Sequence, residues 1–265
     1  MQSKVPLDPI PSVVDGTVGK IAYVEAGNEG PCLLLVHGCP GSRRDFRWWM
    51  QDLSEWAHVI AVDMPGYGEA RPTAFPPTTS GRSAYLSEVL DVAGVRKAYV
   101  VSHSFGSTVA VDFALRYSER VLGVGMLAPA GPRMHMGLRR FHGRSLFYRL
   151  ATLPVVGDKA LLRLKKAMTV AGFSKYLEPD EILRMLELLE HFRFRDYAAQ
   201  LLDLEVPAWV AHAADDPFIE YAIVEELVAC LGKPRFHVLG EGGHNIQKTM
   251  AVELNDALKA WICEP

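Results

Sequence analysis

The chain is short of cysteine, of long apolar runs and of net charge, and each shortage excludes something. Four cysteines, Cys32, Cys39, Cys230 and Cys263, stand among 265 residues with no CxxC pair between them. Thiols this scattered predict a reduced, cytoplasmic protein with no zinc or other metal site. No apolar segment reaches the ~20 residues of a membrane span. The longest purely aliphatic run of the early chain is Leu33 to Val36. The opening MQSKVPLDPIPSVVDG carries prolines and charge where a secretory leader needs an apolar stretch, so secretion is not expected. A formal net charge of −3 offers no general attraction to nucleic acid. Internal repeats and low-complexity tracts are also missing. What is present, 49% hydrophobic and 22% charged residues, suits one large core, alone or with a modest insertion.

Charge is unevenly placed. Residues 131–200 hold 13 Lys and Arg against 7 Asp and Glu, whereas the flanks together hold 15 against 24. The basic middle reads as an inserted unit with its own surface. Around it, strand and helix signals alternate. Residues 18–25 alternate apolar and polar after Asp15-Gly16, the pattern of an opening hairpin. Short continuous apolar runs at 32–37, 59–63, 98–102, 121–128 and 207–213 predict strands buried on both faces, and 235–239 predicts a further strand. Helical spacing covers 42–57, 79–93, 219–231 and 246–262. This is the pattern of an α/β protein: a doubly wound, mostly parallel sheet with helices on both faces. Ligands of such sheets bind beyond the carboxyl ends of the strands.

The chemistry-bearing residues fall there. Ser104 follows one strand, Gly38-Cys39-Pro40-Gly41 another, Asp215 and Asp216 a third, and His244 a fourth. Serine alone holds its proton too tightly to attack. An imidazole takes that proton, and a carboxylate fixes the imidazole's tautomer and steadies its cation. The order Ser, Asp, His is the one expected on a doubly wound sheet. In VVSHSFGSTV, residues 100–109, the serine sits at a strand-to-helix corner with small residues, Ser102 and Gly106, two positions away on either side. Bulkier side chains there would crowd a sharp turn. The corner also sets Ser104 at a helix N-terminus, where the Phe105 amide is free for an oxyanion. A second donor is expected from Cys39. Pro40 has no N–H and stiffens the loop.

At these residues the chain resembles the α/β-hydrolase superfamily. The pieces are HGCPG at 37–41, DMPGYG at 63–68, SHSFGS at 102–107, ADDPF at 214–218 and GGHN at 242–245. Together they run along nearly the whole chain. The resemblance implies a catalytic triad of Ser104, Asp216 and His244, and an oxyanion hole from the Cys39 and Phe105 amides. It also implies a helical cap after the sixth strand. The expected domains are therefore a core of 1–130 and 201–265 and a cap of 131–200. Ser102 and Ser107 stand where glycines are common in the family, and Asn245 stands where an apolar residue is usual.

Several assignments stay open. Asp216, just before the apolar turn Pro217-Phe218-Ile219, is favoured as the acid, with Asp215 as the rival. Residues 127–130, Leu-Ala-Pro-Ala, leave no carboxylate after the sixth strand, where some relatives carry the acid. His37 and His103 are supporting residues, and Asp63 organises the loop after it. Trp48 and Trp49 are expected to split between cleft wall and core. Met134, Phe141 and other cap Met and Phe residues line an acyl pocket, pack the cap, or both. Asn245 either contacts substrate or bonds locally. The Arg-rich face of Arg133, Arg139, Arg140 and Arg144 is a solvated surface or an attractor of anions.

The sequence thus predicts a cytoplasmic serine hydrolase that takes a small-molecule carboxylic ester, needs no cofactor or metal, and has a homodimer as one open option. Hydrolysis of a carbon–carbon bond in a vinylogous diketone is the nearest rival. Haloalkane dehalogenases and epoxide hydrolases share the scaffold but need a carboxylate where Ser104 stands. A slow-turnover ligand receptor and a cofactor-free oxygenase or lyase remain further alternatives.

Overall fold

Asp15 and Gly16 turn the chain back on itself. Strands β1 (Ser12–Asp15) and β2 (Lys20–Ala26) pair antiparallel, closed by a Gly16 N–H to Gly19 carbonyl bond of 2.8 Å. The structure is a computed structural model and describes residues 6–71, 73–139, 144–153, 157–170 and 177–263. Among the described residues six further strands follow: β3 (Cys32–Val36), β4 (His58–Asp63), β5 (Ala98–His103), β6 (Val121–Leu127), β7 (Ala208–Ala213) and β8 (Arg235–Leu239). The sheet runs β1-β2-β4-β3-β5-β6-β7-β8, parallel from β4 onward, with β2 antiparallel to β4. The strand order reverses at β3, which lies between β4 and β5. That is the switch point at which open parallel sheets leave a crevice.

The apolar runs are continuous because the strands are covered twice. Successive side chains point to opposite faces. Leu34, Val36, Ile60, Val62 and Val100 join one core, with Tyr85 and Val89 of α2 (Thr79–Val92) and Val109 and Phe113 of α3 (Gly106–Arg116). Leu33, Leu35, Val59, Ala61 and Val101 join the other. There they meet Met50 and Leu53 of α1 (Met50–Ser54) and Leu254 and Leu258 near the C-terminus.

Between β6 and β7 the chain leaves the sheet for helices α4 (Met136–Arg139), α5 (Arg144–Ala151), α6 (Gly157–Val170), α7 (Pro179–His191) and α8 (Phe194–Leu202). Leu161, Leu164 and Met168 of α6 pack with Ile182, Met185 and Leu186 of α7 in a third cluster, which Phe105 also enters from the sheet side. Then α9 (Tyr221–Cys230), α10 (Ile246–Thr249) and α11 (Ala251–Cys263) complete the chain. Among the described residues no helix is long and apolar enough to cross a membrane.

Three expected helices differ. The predicted helix over 42–57 is a 3₁₀ turn at Arg43–Phe46 followed by the short α1. Asp63 binds the Arg43 amide at 2.9 Å and also its guanidinium, and this pulls the first turn toward the sheet. The helix predicted from 219 starts at Tyr221, because the Ile219 amide is held by Asp216. The predicted C-terminal helix breaks at Met250 into α10 and α11. There the Thr249 hydroxyl bonds back to the Gly242 carbonyl at 2.7 Å.

Candidate active site

The β5–α3 corner holds Ser104 at φ +54°, one of two non-glycine residues with a left-handed backbone among the described residues. Such a conformation persists only where its surroundings fix it. The Ser104 amide donates to the Leu127 carbonyl at 2.9 Å, and its carbonyl accepts from Ala130 N–H and from the Ser107 hydroxyl. The corner has no room for larger neighbours. A Cβ at Gly106 would lie 2.6 Å from the His37 carbonyl oxygen and 2.8 Å from that of Val36. The two serines in place of glycines fit because their hydroxyls bond locally. Ser102 donates to the Gly125 carbonyl at 3.0 Å and Ser107 to that of Ser104 at 2.8 Å.

His244 lies in the loop after β8 with its Nε2 2.9 Å from Ser104 Oγ. Its Nδ1 lies 2.8 Å from Asp216 Oδ2. The other oxygen of Asp216 accepts from the Phe218 and Ile219 amides at 2.8 and 3.0 Å. Burial alone would raise the pKa of Asp216. The His244 contact and the two amides outweigh it and hold the carboxyl below its ordinary range. An ionised Asp216 accepts, so His244 donates from Nδ1 and offers a lone pair at Nε2 to the serine hydroxyl. Asp215 is exposed and turns elsewhere: its Oδ1 takes the Gly243 amide at 2.7 Å, bracing the loop that carries His244.

Three further histidines near the site, His103, His37 and His135, are neutral supports. His103 donates from Nε2 to the His244 carbonyl at 2.8 Å, and burial with the neighbouring His244 ring pushes its pKa down to about 3. His37 accepts the Met64 amide at Nε2 and donates from Nδ1 to the Gly38 carbonyl; burial lowers it as well. His135, which the sequence reading passed over, bonds the Phe218 carbonyl at 3.0 Å, and burial pushes it down to about 4. It and Gly137 clamp the turn whose amides hold Asp216. Asp63 ties the loop after it to Arg43, taking the Glu69 amide at 3.0 Å. Nothing in single-sequence periodicity marks His135, because its partner lies 83 residues away.

Beside Ser104 the Cys39 and Phe105 amides donate to no other group among the described residues. Gly38 keeps the Cys39 loop close: a Cβ there would lie 3.0 Å from that of Ser104. The Cys39 thiol lies 3.1 Å from the Tyr67 hydroxyl, and the buried Arg82 stands over the Tyr67 ring. Burial pushes the Cys39 thiol up.

A cavity of about 620 Å³ opens on Ser104, His244 and Cys39. Asn245 lines it; Trp48 and Met134 do not. Trp48 is exposed beside Arg47, whereas Trp49 is fully buried in the core. Phe141 lies outside the described residues, as do Arg140 and Phe173. Met168, also considered for an acyl pocket, is turned into the helical cluster instead. The apolar lining is Leu177, Phe218 and Pro40, and half of the rest is charged, five cations against four carboxylates. Lys248 pairs with Asp45 and Arg44 with Asp8, whereas Arg47 and Arg71 line the cavity with no carboxylate partner among the described residues. Arg133 and Arg139 pair with Glu226 and Glu220. Among the described residues no group of three or more His, Cys, Asp or Glu converges as a metal site.

Comparison with known proteins gives three kinds of likeness. A family model described as the alpha/beta hydrolase fold matches residues 31–154. The chain is 29% identical to the 2-hydroxy-6-oxononadienedioate/2-hydroxy-6-oxononatrienedioate hydrolase of Paraburkholderia phymatum, over 92% of this chain and 91% of that one. Among solved structures it superposes on a meta-cleavage product hydrolase from Pseudomonas fluorescens with a TM-score of 0.71 and 23% identity, covering 93% and 95% of the two chains. It also superposes on a thermophilic esterase from Thermogutta terrifontis, with a TM-score of 0.76 and 19% identity over 97% and 99%. At these identities the two superpositions establish a shared fold.

Proposed function

Because the chain carries the alpha/beta hydrolase fold, we propose that it is a serine hydrolase of the α/β-hydrolase superfamily working through an acyl-enzyme. The single observation that carries this reading is the unbroken chain of contacts Ser104–His244–Asp216, at 2.9 and 2.8 Å. Ser104 Oγ attacks a carbonyl carbon while its proton passes to His244 Nε2. Asp216 steadies the imidazolium through Nδ1. The oxygen turned negative is met by the Cys39 and Phe105 amides, each such donor contributing roughly 10²–10³ in rate. His244 then protonates the departing group, and water repeats the sequence to release the acid and free Ser104. The residues 131–200 act as a cap over the cavity.

The bond broken in the first reading is the acyl–oxygen bond of a carboxylic ester. A second reading, carbon–carbon hydrolysis of a vinylogous diketone, has its own support. The Paraburkholderia relative, similar over most of both chains, is named for a dienedioate substrate. The cavity wall mixes carboxylates (Asp45, Glu69, Glu178, Glu181) with cations, of which Arg47 and Arg71, without a carboxylate partner among the described residues, suit a substrate carrying carboxylates. In that case the proton from His244 goes to carbon instead of oxygen.

Steady-state kinetics on two panels separates these readings. One panel is p-nitrophenyl esters of increasing acyl length; the other is ring-cleavage products with one or two carboxylates. Multiple turnovers on either panel, abolished by Ser104→Ala, support the acyl-enzyme. The panel with the higher kcat/KM names the bond. A single slow turnover on both panels would favour a receptor, and full activity of Ser104→Ala would reject the scheme.

A further inference from the structure

Helix α6 buries one stripe and exposes an unusual one. At about 100° per residue, Leu161, Leu164 and Met168 share the inner face, and all three are buried. Lys159, Leu162, Arg163, Lys166 and Val170 fall within an arc of about 100° on the opposite side. There Leu162 is 58% and Val170 84% exposed. An ordinary solvated face would be polar throughout; this one interleaves cations with large apolar side chains. The neighbouring α5, which packs against α6, exposes the same mixture: Leu146 by 62%, Phe147, and Arg149. None of Arg149, Lys159, Arg163, Lys165 and Lys166 pairs with a carboxylate among the described residues. Across the two helices the only acidic residue is Asp158.

We propose that this outer face of α5 and α6 docks on an anionic lipid bilayer. Interfacial helices of this kind set apolar side chains into the headgroup boundary and Lys or Arg against lipid phosphates. The charge pattern of the chain orients the contact. Residues 131–200 carry 13 cations against 7 anions, while the flanks carry 15 against 24 and are repelled by the same surface. Helix α6 packs on α7, and Glu181 of α7 lines the cavity. A docked molecule therefore holds α7, the helical wall of the cavity, one helix layer behind the bilayer surface. The docking does not depend on the catalytic reading.

The test is vesicle flotation of the full chain carrying Ser104→Ala, so that no hydrolysis alters the lipid. Binding is expected to vesicles with about 30% phosphatidylserine and not to pure phosphatidylcholine, and molar salt should release it. Each cation near the surface contributes about fivefold. Lys159→Glu/Arg163→Glu/Lys166→Glu should therefore weaken binding by more than about 100-fold, and Leu162→Ser/Val170→Ser by about tenfold. Circular dichroism and Tm of the variants should match the parent. Should charge reversal disturb the fold, the Lys159→Gln/Arg163→Gln/Lys166→Gln set is expected to lose about 100-fold. Failure to float with the anionic vesicles, equal binding to neutral ones, or unchanged binding by the folded charge variants would overturn the proposal. So would tighter capture by polyglutamate than by the vesicles.

Discussion

Replacing Asp216 with Asn changes one atom of the site, and the structure fixes what that atom must do. The Asp216 Oδ1 accepts two backbone amides, from Phe218 and Ile219, while Oδ2 accepts His244 Nδ1 at 2.8 Å. An asparagine keeps its carbonyl oxygen under the two amides, because an NH₂ there would set donors against donors. Its NH₂ then faces His244 Nδ1, and the imidazole responds by carrying its proton on Nε2. That proton points at Ser104 Oγ, 2.9 Å away, where an open lone pair is needed. The charge that steadied the imidazolium is lost as well. The expected fall in kcat is ~10⁴-fold, or about 5.4 kcal/mol of barrier. Steady-state hydrolysis of whichever substrate panel is turned over reads it, with Tm measured alongside. Asp215→Asn is the control: its oxygen can still take the Gly243 amide, so activity should stay within a few-fold. The reasoning is refuted if Asp216→Asn keeps more than about a tenth of the activity, or if Asp215→Asn falls as far.

Other expectations follow from the same contacts. Gly106→Ala puts a Cβ against two backbone oxygens at 2.6 and 2.8 Å. Overpacking of about 1–3 kcal/mol should lower Tm by several degrees and displace the Cys39 loop. Acid should destabilise the fold from pH 6.5 downward, since buried His103 has its pKa depressed to about 3. The unfolded chain binds a proton there that the native state refuses, so stability drops as pH falls, by about 2 kcal/mol between pH 7 and 5 from this residue alone. Urea unfolding at the two pH values measures it, and a His103→Gln variant should show a shallower slope. Iodoacetamide at mildly alkaline pH should modify exposed Cys263 well before Cys39 or Cys32, whose thiol is pushed up to about 12. Peptide mapping over time decides the order.

Much of the fold was legible because its strands are covered on both faces. Leu33 to Val36 reads as an apolar run since alternate residues enter different cores. The hydroxyl, the imidazole and the carboxylate were legible because each follows a strand at one sheet edge. Asp216 and Asp215 were harder to separate. Their difference lies in which amides each meets, Phe218 and Ile219 or Gly243, and that is a matter of turn geometry. The helix over 42–57 was misread because periodicity records burial of Phe46, Trp49 and Leu53 but not the pull of Asp63 on the Arg43 amide. The substrate contacts were the least legible. Cap methionines look alike in sequence whether they face a cavity or, as Met168 does, a neighbouring helix. The charged lining comes from the 3₁₀ turn, the loop after β4, the start of α7 and Lys248 of α10, which no local pattern connects.

The most direct measurement is reaction of the intact chain with a fluorophosphonate, followed by mass spectrometry of the peptides. One adduct on Ser104, absent in Ser104→Ala and formed far more slowly in His244→Ala, is the expected result. An adduct on a different residue, or hydrolysis that continues undiminished once position 104 is alanine, would contradict the acyl-enzyme account.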